Sequence, residues 1–217
     1  MAWVRHYDMA DPVERQTGLD VAASAVRRGD LVVLPTDTVY GLGTDAFSPD
    51  AVGELLQAKG RGRDLPVPVL VGSPRTLDGI ATSLSDSARS LVEAFWPGGL
   101  TLVCRVQPSL QWDLGDTRGT VAVRMPLHPV AIELLTVTGP MAVSSANRTG
   151  MPPATTVEEA IEQLAETVSV YLDGGPAGAP VPSTIVDVTG AAPRLLRAGA
   201  VTEETLREVA GDLVVEP

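Results

Sequence analysis

Several residue types are rare in this 217-residue chain, and each scarcity excludes a class of protein. The single cysteine, Cys104, excludes a disulfide within the chain, and its apolar neighbours predict a buried thiol rather than a nucleophile. Two histidines, His6 and His128, are too few and too badly placed for a zinc cluster. No apolar run approaches the roughly 18 residues of a membrane span, and no apolar targeting segment begins the chain. We therefore expect a cytoplasmic protein.

Charge and aromatic content narrow the fold class further. Aromatic residues make up 4% of the chain against 44% hydrophobic residues, so the core must come mainly from Val, Leu, Ile and Ala. Such a core suits a sheet covered by helices and fits one domain over residues 1–217, with no additional C-terminal domain. The net charge of −11 argues against a protein that coats nucleic acid non-specifically, although a local basic site stays possible.

Lysine is the rarest basic residue: Lys59 stands alone against fifteen arginines. A lysine ammonium is a compact charge on a flexible stem, which can follow a phosphate or carboxylate as it moves. The alternative is that the composition is biased and that Lys59 is a solvated surface residue. The count alone leaves both interpretations open.

Helical patterns recur along the chain. An amphipathic stretch over residues 14–28 ends at Gly29, and Ser48-Pro49-Asp50 begins a helix that delivers Lys59 at its C-terminal end. Thr156-Val157-Glu158-Glu159 is typical of a capping box for a helix to about residue 166. Further helices are predicted over residues 85–95 and 129–137 and after Thr202.

Strand patterns alternate with these helices, which predicts an α/β fold. The predicted strands cover residues 31–34, 67–71, 100–106, 120–124, 141–143, 168–172, 184–188 and 194–196. The stretch 173–182 is rich in Gly, Pro and Ala, and we interpret it as a mobile flap rather than a domain linker.

Three familiar nucleotide-binding or catalytic motifs are excluded. Gly41-Leu42-Gly43-Thr44-Asp45-Ala46 matches the dinucleotide fingerprint only superficially, because residues 35–40 separate its glycines from the preceding strand. We interpret these glycines as positions of close backbone packing. Lys59 is neither preceded by glycine nor followed by Ser or Thr, so there is no Walker A loop, and no G-x-S-x-G elbow occurs.

Polar residues cluster at the ends of the predicted strands. They lie in the loop 35–40, in the segment 144–148, and at Arg124, Ser183 and Arg197. Strand ends are the usual ligand positions in open α/β sheets. Each residue by itself is more often a turn residue, a cap or a surface charge, but together they indicate a site for phosphate and carboxylate groups.

At these positions the chain resembles the YrdC-like family of threonylcarbamoyl-adenylate synthases, over most of its length. The matching motifs are Pro35-Thr36-Asp37-Thr38-Val39-Tyr40-Gly41-Leu42-Gly43, Lys59-Gly60-Arg61, Trp96-Pro97-Gly98-Gly99-Leu100-Thr101, Val121-Ala122-Val123-Arg124-Met125-Pro126, Ser145-Ala146-Asn147, Ser183-Thr184-Ile185-Val186-Asp187 and Leu196-Arg197-Ala198-Gly199. So many ordered matches make coincidence improbable.

The resemblance implies a twisted open mixed sheet with helices on its faces and a concave basic cavity. It implies a nucleotidyltransferase that makes threonylcarbamoyl-AMP and pyrophosphate from ATP, L-threonine and bicarbonate, for N6-threonylcarbamoyladenosine at position 37 of tRNA. Magnesium is expected with ATP and without a protein ligand. The expected downstream partner is the tRNA threonylcarbamoyl transferase machinery, while direct contact with tRNA and the oligomeric state stay open.

The family's site residues carry over onto this sequence by motif. The expected threonine contacts are Thr38, Arg124, Val143 and Ser183. The expected ATP contacts are Lys59, Arg61, Thr120, Ser145, Pro153 and Arg197, and the expected catalytic set is Lys59, Arg61, Ser145 and Asn147. Val143 and Pro153 stand where the family makes its contacts through the backbone.

Two departures from the family pattern and two other functions are considered. Leu65 replaces a residue that is often basic or an amide, and Gly99 replaces the usual proline. One alternative is a non-catalytic module of the same fold that binds double-stranded RNA or a ribosome precursor. It would require a cluster of the arginines Arg61, Arg63, Arg118, Arg148 and Arg194 on one face. The weaker alternative is a paralogue with another carbamoyl or nucleotide chemistry.

Overall fold

A computed structural model describes residues 4–178 and 181–215 of the chain. The α-helices in this part of the chain are α1 (Pro12–Arg27), α2 (Pro49–Lys59), α3 (Leu77–Ile80), α4 (Asp86–Phe95), α5 (Pro129–Thr138), α6 (Val157–Leu164) and α7 (Glu203–Val209). The strands are β1 (Arg5–Asp8), β2 (Val32–Leu34), β3 (Gly41–Asp45), β4 (Val69–Leu70), β5 (Ala81–Thr82), β6 (Leu100–Val106), β7 (Thr120–Arg124), β8 (Met141–Ser145), β9 (Val170–Asp173), β10 (Thr184–Asp187), β11 (Arg194–Arg197) and β12 (Val214–Val215).

All these strands belong to one twisted open sheet that contains both parallel and antiparallel pairs. The order is β1-β9-β2-β3-β8-β4-β7-β6-β10-β11-β12, and β5 pairs with β6 at the side. Strands β1, β9 and β2 run parallel, whereas β3 and β8 are antiparallel to their neighbours. The predicted α/β fold with an open mixed sheet and covering helices is confirmed.

Helix α2 forms for the reasons that its sequence indicates. The Ser48 hydroxyl oxygen accepts a hydrogen bond from the Ala51 N–H at 3.3 Å, and Pro49 occupies the first turn, where its missing N–H costs nothing. Gly60 ends the helix in the left-handed region with φ 61°. This helix faces the core through Val52, Leu55 and Leu56, so its last residue, Lys59, is carried into the protein interior.

The capping box before α6 is confirmed in part. The Thr156 hydroxyl accepts from the Glu159 N–H at 3.3 Å, but the Glu159 carboxylate accepts from the Thr155 N–H at 2.7 Å, one residue before the cap. Helix α6 ends at Leu164, earlier than predicted, because Ala165 has a positive φ of 42° and begins a short 3-10 turn.

Strand β3 was not predicted, because glycines weaken a strand signal. The structure explains why they occur: a Cβ atom on Gly41 or Gly43 would approach the Val143 side chain to 2.7 or 2.9 Å. These glycines therefore allow β3 to lie against β8, which confirms the interpretation of close backbone packing.

Two apolar clusters cover the sheet. The larger includes Tyr40, Leu55 and Leu102, and the smaller lies between α1, α5 and the sheet around Leu34 and Met141. Cys104 lies in the larger cluster, where burial raises the pKa of its thiol to about 12, as expected for a structural thiol. Within the described ranges, no helix has the length and apolar character needed to cross a membrane.

A pair of glycine substitutions tests this packing. A Cβ on Gly199 would collide with the backbone of Pro182 and Ser183, whereas Gly53 in α2 has no atom within 4 Å of such a Cβ. We expect Gly199→Ala to lower the free energy of unfolding by roughly 1–3 kcal/mol. Gly53→Ala is expected to raise it by roughly 0.5–1 kcal/mol, because alanine is the better helix former. Urea unfolding of both variants checks this, and shifts in the same direction would contradict it.

Candidate active site

The centre of the site is the Lys59 ammonium at the end of α2. Its Nζ donates to the backbone oxygens of Ser145 and Asn147, the latter at 2.7 Å, and to the Asn147 side-chain Oδ1 at 3.1 Å. An ammonium has three N–H donors, so these contacts use all of them. Lys59 therefore clamps the turn that follows β8.

The environment of Lys59 contradicts the interpretation as a solvated surface residue, because only 3% of its surface is exposed. The structure also shows an ammonium held by fixed partners rather than one free to move. Burial, and to a smaller degree the nearby Arg61 charge, lower its pKa to about 8. No carboxylate lies within 4 Å of it in the part of the chain that the structure describes.

The turn itself is fixed by the Asn147 side chain. Its Oδ1 accepts from the Ser145 hydroxyl at 2.6 Å as well as from Lys59, and its Nδ2 donates to the oxygens of Arg148 and Met151 at 3.0 and 2.7 Å. Both the oxygen and the nitrogen of the Asn147 amide thus have hydrogen-bond partners. The Ser145 hydroxyl oxygen keeps its lone pairs available for an incoming donor.

Arg61 follows the helix and lies next to this turn. Its Nη1 donates to the Ser144 hydroxyl at 3.1 Å and its Nη2 to the Pro66 oxygen at 3.3 Å. The Nε atom is buried and has no hydrogen-bond partner among the described residues. Burial lowers the pKa of Arg61, opposed by the Asp64 charge. A buried donor without an acceptor is a position that an anion can satisfy.

A second group surrounds Arg124 at the end of β7. Its Nε donates to the Gly98 oxygen and its Nη1 to the Thr38 hydroxyl, both at 2.9 Å, and its Nη2 pairs with the Asp37 carboxylate at 2.6 Å. Burial lowers the pKa of Arg124, while the Asp37 charge opposes that effect. Two separate segments, the loop 35–40 and the turn at Gly98, thereby hold one guanidinium.

Ser183 and Arg197 complete this second group. The Arg197 Nη2 donates to the Ser183 backbone oxygen at 2.7 Å and to its hydroxyl at 3.0 Å, while the Thr101 hydroxyl donates to the Ser183 hydroxyl at 2.9 Å. Burial lowers the pKa of Arg197. The Arg197 charge also acts on Arg124, which places the two cations near each other.

The loop 35–40 connects the two groups. At its middle, Thr38 contacts Arg124, and at its end the Tyr40 backbone oxygen accepts from the Ala146 N–H at 2.8 Å, inside the Lys59-held turn. The Thr36 hydroxyl stiffens the loop by donating to the Val39 oxygen at 2.6 Å. Two pairs of neighbouring cations, Lys59 with Arg61 and Arg124 with Arg197, thus lie in the groups that this loop connects. Within the described residues, only Arg124 has a carboxylate partner among these four.

Three of the site residues expected from the sequence lie outside these two groups of contacts. The Thr120 hydroxyl donates to the Thr117 oxygen at 2.7 Å. The Val143 N–H is used by the Pro68 oxygen at 2.8 Å. Pro153 lines an open cavity of about 710 Å³ together with Val39 and Arg148. Their assignment to ATP or threonine stays a prediction.

Sequence reasoning gave no role to Asp37. The residue lies within the motif 35–43, and an acidic side chain three residues after the end of a buried strand is the signal that could have drawn attention to it. Its carboxylate oxygen also accepts from the Leu127 N–H at 2.8 Å, a partner 90 positions away that no sequence pattern reveals. The described residues contain no group of three His, Cys, Asp or Glu side chains that could hold a metal ion.

Comparison with known proteins assigns the family. The sequence model of the Sua5/YciO/YrdC family, described as telomere recombination, matches residues 24–199. The chain belongs to the Sua5/YciO/YrdC family. A relative from Mycobacterium tuberculosis, provisionally named threonylcarbamoyl-AMP synthase, is 59% identical over 205 residues. The aligned region includes 94% of this chain and 94% of the relative.

Longer members of the Sua5/YciO/YrdC family are also similar. The Bacillus subtilis threonylcarbamoyl-AMP synthase is 38% identical over 90% of this chain. The aligned region is 57% of the length of the Bacillus subtilis protein. The crystal structure of Pyrococcus abyssi Sua5 with L-threonine superimposes with a TM-score of 0.92 at 34% identity. It covers the whole of this chain, which spans 63% of that protein.

The predicted flap over residues 173–182 is described only in part, because residues 179 and 180 lie outside the described residues. Up to residue 178, the segment contacts the loop 35–40. The Tyr40 hydroxyl donates to the Gly175 oxygen at 2.6 Å, and the Ala177 N–H donates to the Thr155 oxygen at 2.7 Å. Closure of this segment over a ligand stays a prediction.

The lowered pKa of Lys59 predicts a pH dependence of stability. The folded value of about 8 lies below the ordinary lysine value of about 10.4, so between these values the folded state binds fewer protons than the unfolded state. Stability from this group therefore rises with pH across that window, by up to about 3 kcal/mol, while below it the burial penalty is fully present.

Urea unfolding of the wild type and of Lys59→Met between pH 8 and 10.5 isolates this contribution. The comparison removes the opposing effect of Cys104, whose raised pKa makes the folded state bind more protons at high pH. We expect the wild type to gain stability relative to Lys59→Met as pH rises. A difference that stays constant across the window would contradict the buried charge.

Proposed function

We propose that this chain is an L-threonylcarbamoyladenylate synthase, which makes threonylcarbamoyl-AMP and pyrophosphate from L-threonine, bicarbonate and ATP. Its product would serve N6-threonylcarbamoyladenosine formation at position 37 of tRNA, with a tRNA threonylcarbamoyl transferase as the downstream partner. The observation that carries the proposal is that the loop 35–40 joins two pairs of cations, Lys59 with Arg61 and Arg124 with Arg197, of which only Arg124 has a carboxylate partner in the described structure. The names of the family relatives support the same activity.

The group around Arg124 suits an amino acid. A guanidinium with N–H donors to spare binds a carboxylate, and the hydroxyls of Thr38 and Ser183 lie close enough to orient a small polar ligand. Both hydroxyls are buried, at 2% and 9% residue exposure, so a ligand there would be largely shielded from water. L-threonine, which the Pyrococcus abyssi relative binds in its crystal structure, is the proposed occupant.

The group around Lys59 and Arg61 suits the phosphates of ATP. The Arg61 Nε lacks an acceptor, and the Lys59 charge lacks a counter-charge among the described residues, so a polyanion would relieve both costs. Arg197, which belongs to the group around Arg124, is also a proposed ATP contact. The remaining proposed ATP contacts are Thr120, Ser145 and Pro153.

The proposed reaction needs orientation and charge neutralisation rather than a protein nucleophile. The neutral amine of threonine attacks the carbon of bicarbonate and water leaves, which gives a carbamate; a carbamate oxygen then attacks the α-phosphate of ATP and displaces pyrophosphate. Arg61 and Lys59 would neutralise charge on the phosphates, and the Ser145 hydroxyl would orient an oxygen by turning its O–H from the Asn147 Oδ1 to the ligand. The reaction is therefore a nucleotidyl transfer.

Magnesium is proposed to accompany ATP, bound by phosphate oxygens and water. The one carboxylate that pairs with a cation of the site within the described residues, Asp37, belongs to the group around Arg124 and not to the proposed phosphate site. This agrees with a metal that the nucleotide supplies and that the side chains around it do not hold.

The alternative of an RNA-binding or ribosome-precursor module receives no support. Of the arginines that such a surface would need, Arg63 pairs with Asp113 at 2.7 Å and Arg194 with Asp187 at 3.1 Å, while Arg61 contacts Ser144 and Pro66. Arginines paired with acids on the same chain have little charge left for a phosphate backbone.

The decisive experiment is incubation of the protein with ATP, bicarbonate and L-threonine, followed by mass detection of threonylcarbamoyl-AMP. We expect this product together with stoichiometric pyrophosphate, and neither when threonine or bicarbonate is omitted. Binding of threonine without product formation would reject the enzymatic proposal.

Removing the central ammonium should stop the reaction. We expect Lys59→Ala to reduce threonine-dependent pyrophosphate release by at least about 100-fold, because both the charge and the clamp on the Ser145–Asn147 turn are lost. Arg89→Ala serves as the control, since Arg89 is exposed and pairs with Asp78. Unchanged turnover in a folded Lys59→Ala protein would refute the role of Lys59.

Serine tests selectivity, because it differs from threonine by one methyl group. A methyl in a fitted pocket contributes about 1–3 kcal/mol, so we expect kcat/KM for threonine to exceed that for serine by roughly 10- to 200-fold. Competition assays with both amino acids measure this ratio. A ratio near one would show that the pocket does not recognise the methyl group.

A further inference from the structure

The carboxylate of Asp37 is held in place by one of its two oxygens. Oδ1 accepts from the Arg124 Nη2 at 2.6 Å and from the Leu127 backbone N–H at 2.8 Å. These donors come from different segments, so the carboxylate plane is fixed. Oδ2 has no hydrogen-bond partner in the part of the chain that is described, and 18% of the side chain remains exposed.

Arg124 is likewise only partly used. A guanidinium has five N–H donors, and three of them are engaged, by Gly98, Thr38 and Asp37. Two N–H groups are therefore left on a side chain with only 8% of its surface exposed. A fixed cation and a fixed anion thus lie side by side, and each has hydrogen-bonding capacity to spare.

This arrangement complements an α-amino acid. Near neutral pH such a ligand carries a carboxylate and an ammonium on the same carbon, and a cation next to an anion can bind both ends at once. We propose that Oδ2 of Asp37 accepts a hydrogen bond from the α-amino group of the substrate, while the free N–H groups of Arg124 bind its carboxylate. This inference rests on the proposed function, which makes threonine the substrate.

The competing explanation is that Asp37 acts only through Arg124, by orienting it. The two roles differ in what they recognise. A positioning residue would strengthen every ligand that carries a carboxylate, whereas an amine acceptor strengthens only ligands that also carry the amino group. The charged groups that face Asp37 are Arg124 and, from the start of α5, the His128 ring, whose pKa is lowered by burial.

Two ligands separate these roles: L-threonine and (R)-3-hydroxybutyrate, which lacks only the amino group. Calorimetric titration near neutral pH gives the affinity ratio for each protein. We expect wild type to bind threonine at least about ten-fold more tightly than (R)-3-hydroxybutyrate, because a hydrogen bond between two charged groups is strong. In Asp37→Asn the amide Nδ2 can take the place of Oδ2, so the ratio should fall below about three-fold.

The control is Asp78→Asn, since Asp78 also pairs with an arginine, Arg89, but lies in an exposed pair. Its ratio should equal that of wild type. If Asp37→Asn weakens both ligands equally and keeps the wild-type ratio, the amine contact is wrong and Asp37 acts through Arg124 alone.

Wild type supplies a test that does not depend on the folding of any variant. Equal affinity of wild type for the two ligands would overturn the amine contact while leaving the proposed function intact. Failure of wild type to bind threonine at all would overturn the proposed function as well, so the two failures are distinguishable.

Discussion

The structure depends on one buried ammonium. Lys59 is taken out of water at the end of α2, and its partners are three oxygens of the turn after β8. Carbonyl and amide oxygens solvate a cation without cancelling its charge, so positive potential remains in the interior. The chain as a whole has a net charge of −11, which makes this local potential a property of the fold and not of the composition.

The loop 35–40 connects that local potential to the second cationic group, around Arg124. Through Thr38 it contacts Arg124, and through Tyr40 it contacts the turn that Lys59 holds. The group around Arg124 and the group around Lys59, which are the proposed sites for the amino acid and the phosphates, are therefore both fixed to the same segment. Transfer between two bound anions requires such fixed relative positions more than it requires a reactive side chain.

Much of the fold could be read from local patterns. Strands β6 and β7 begin and end at the residues that the short β-branched runs predicted, and Ser48 with Pro49 marks the start of α2. The failures have physical causes. Strand β1 has the sequence Arg5–Asp8, which is polar and mostly exposed, so it lacks an apolar pattern, and β3 is rich in glycine because Val143 leaves no room for side chains. Both depend on neighbours that are distant in the sequence.

For the site, the sequence by itself determined the residue types, the local caps and turns, and, through its motifs, the family. Only the tertiary structure decided that Lys59 is a buried clamp with its donors engaged, and that Asp37 lies between Arg124 and the Leu127 backbone. Composition and spacing report which groups are present. Burial and hydrogen-bond partners depend on segments more than 80 positions apart, which meet only when the mixed sheet assembles.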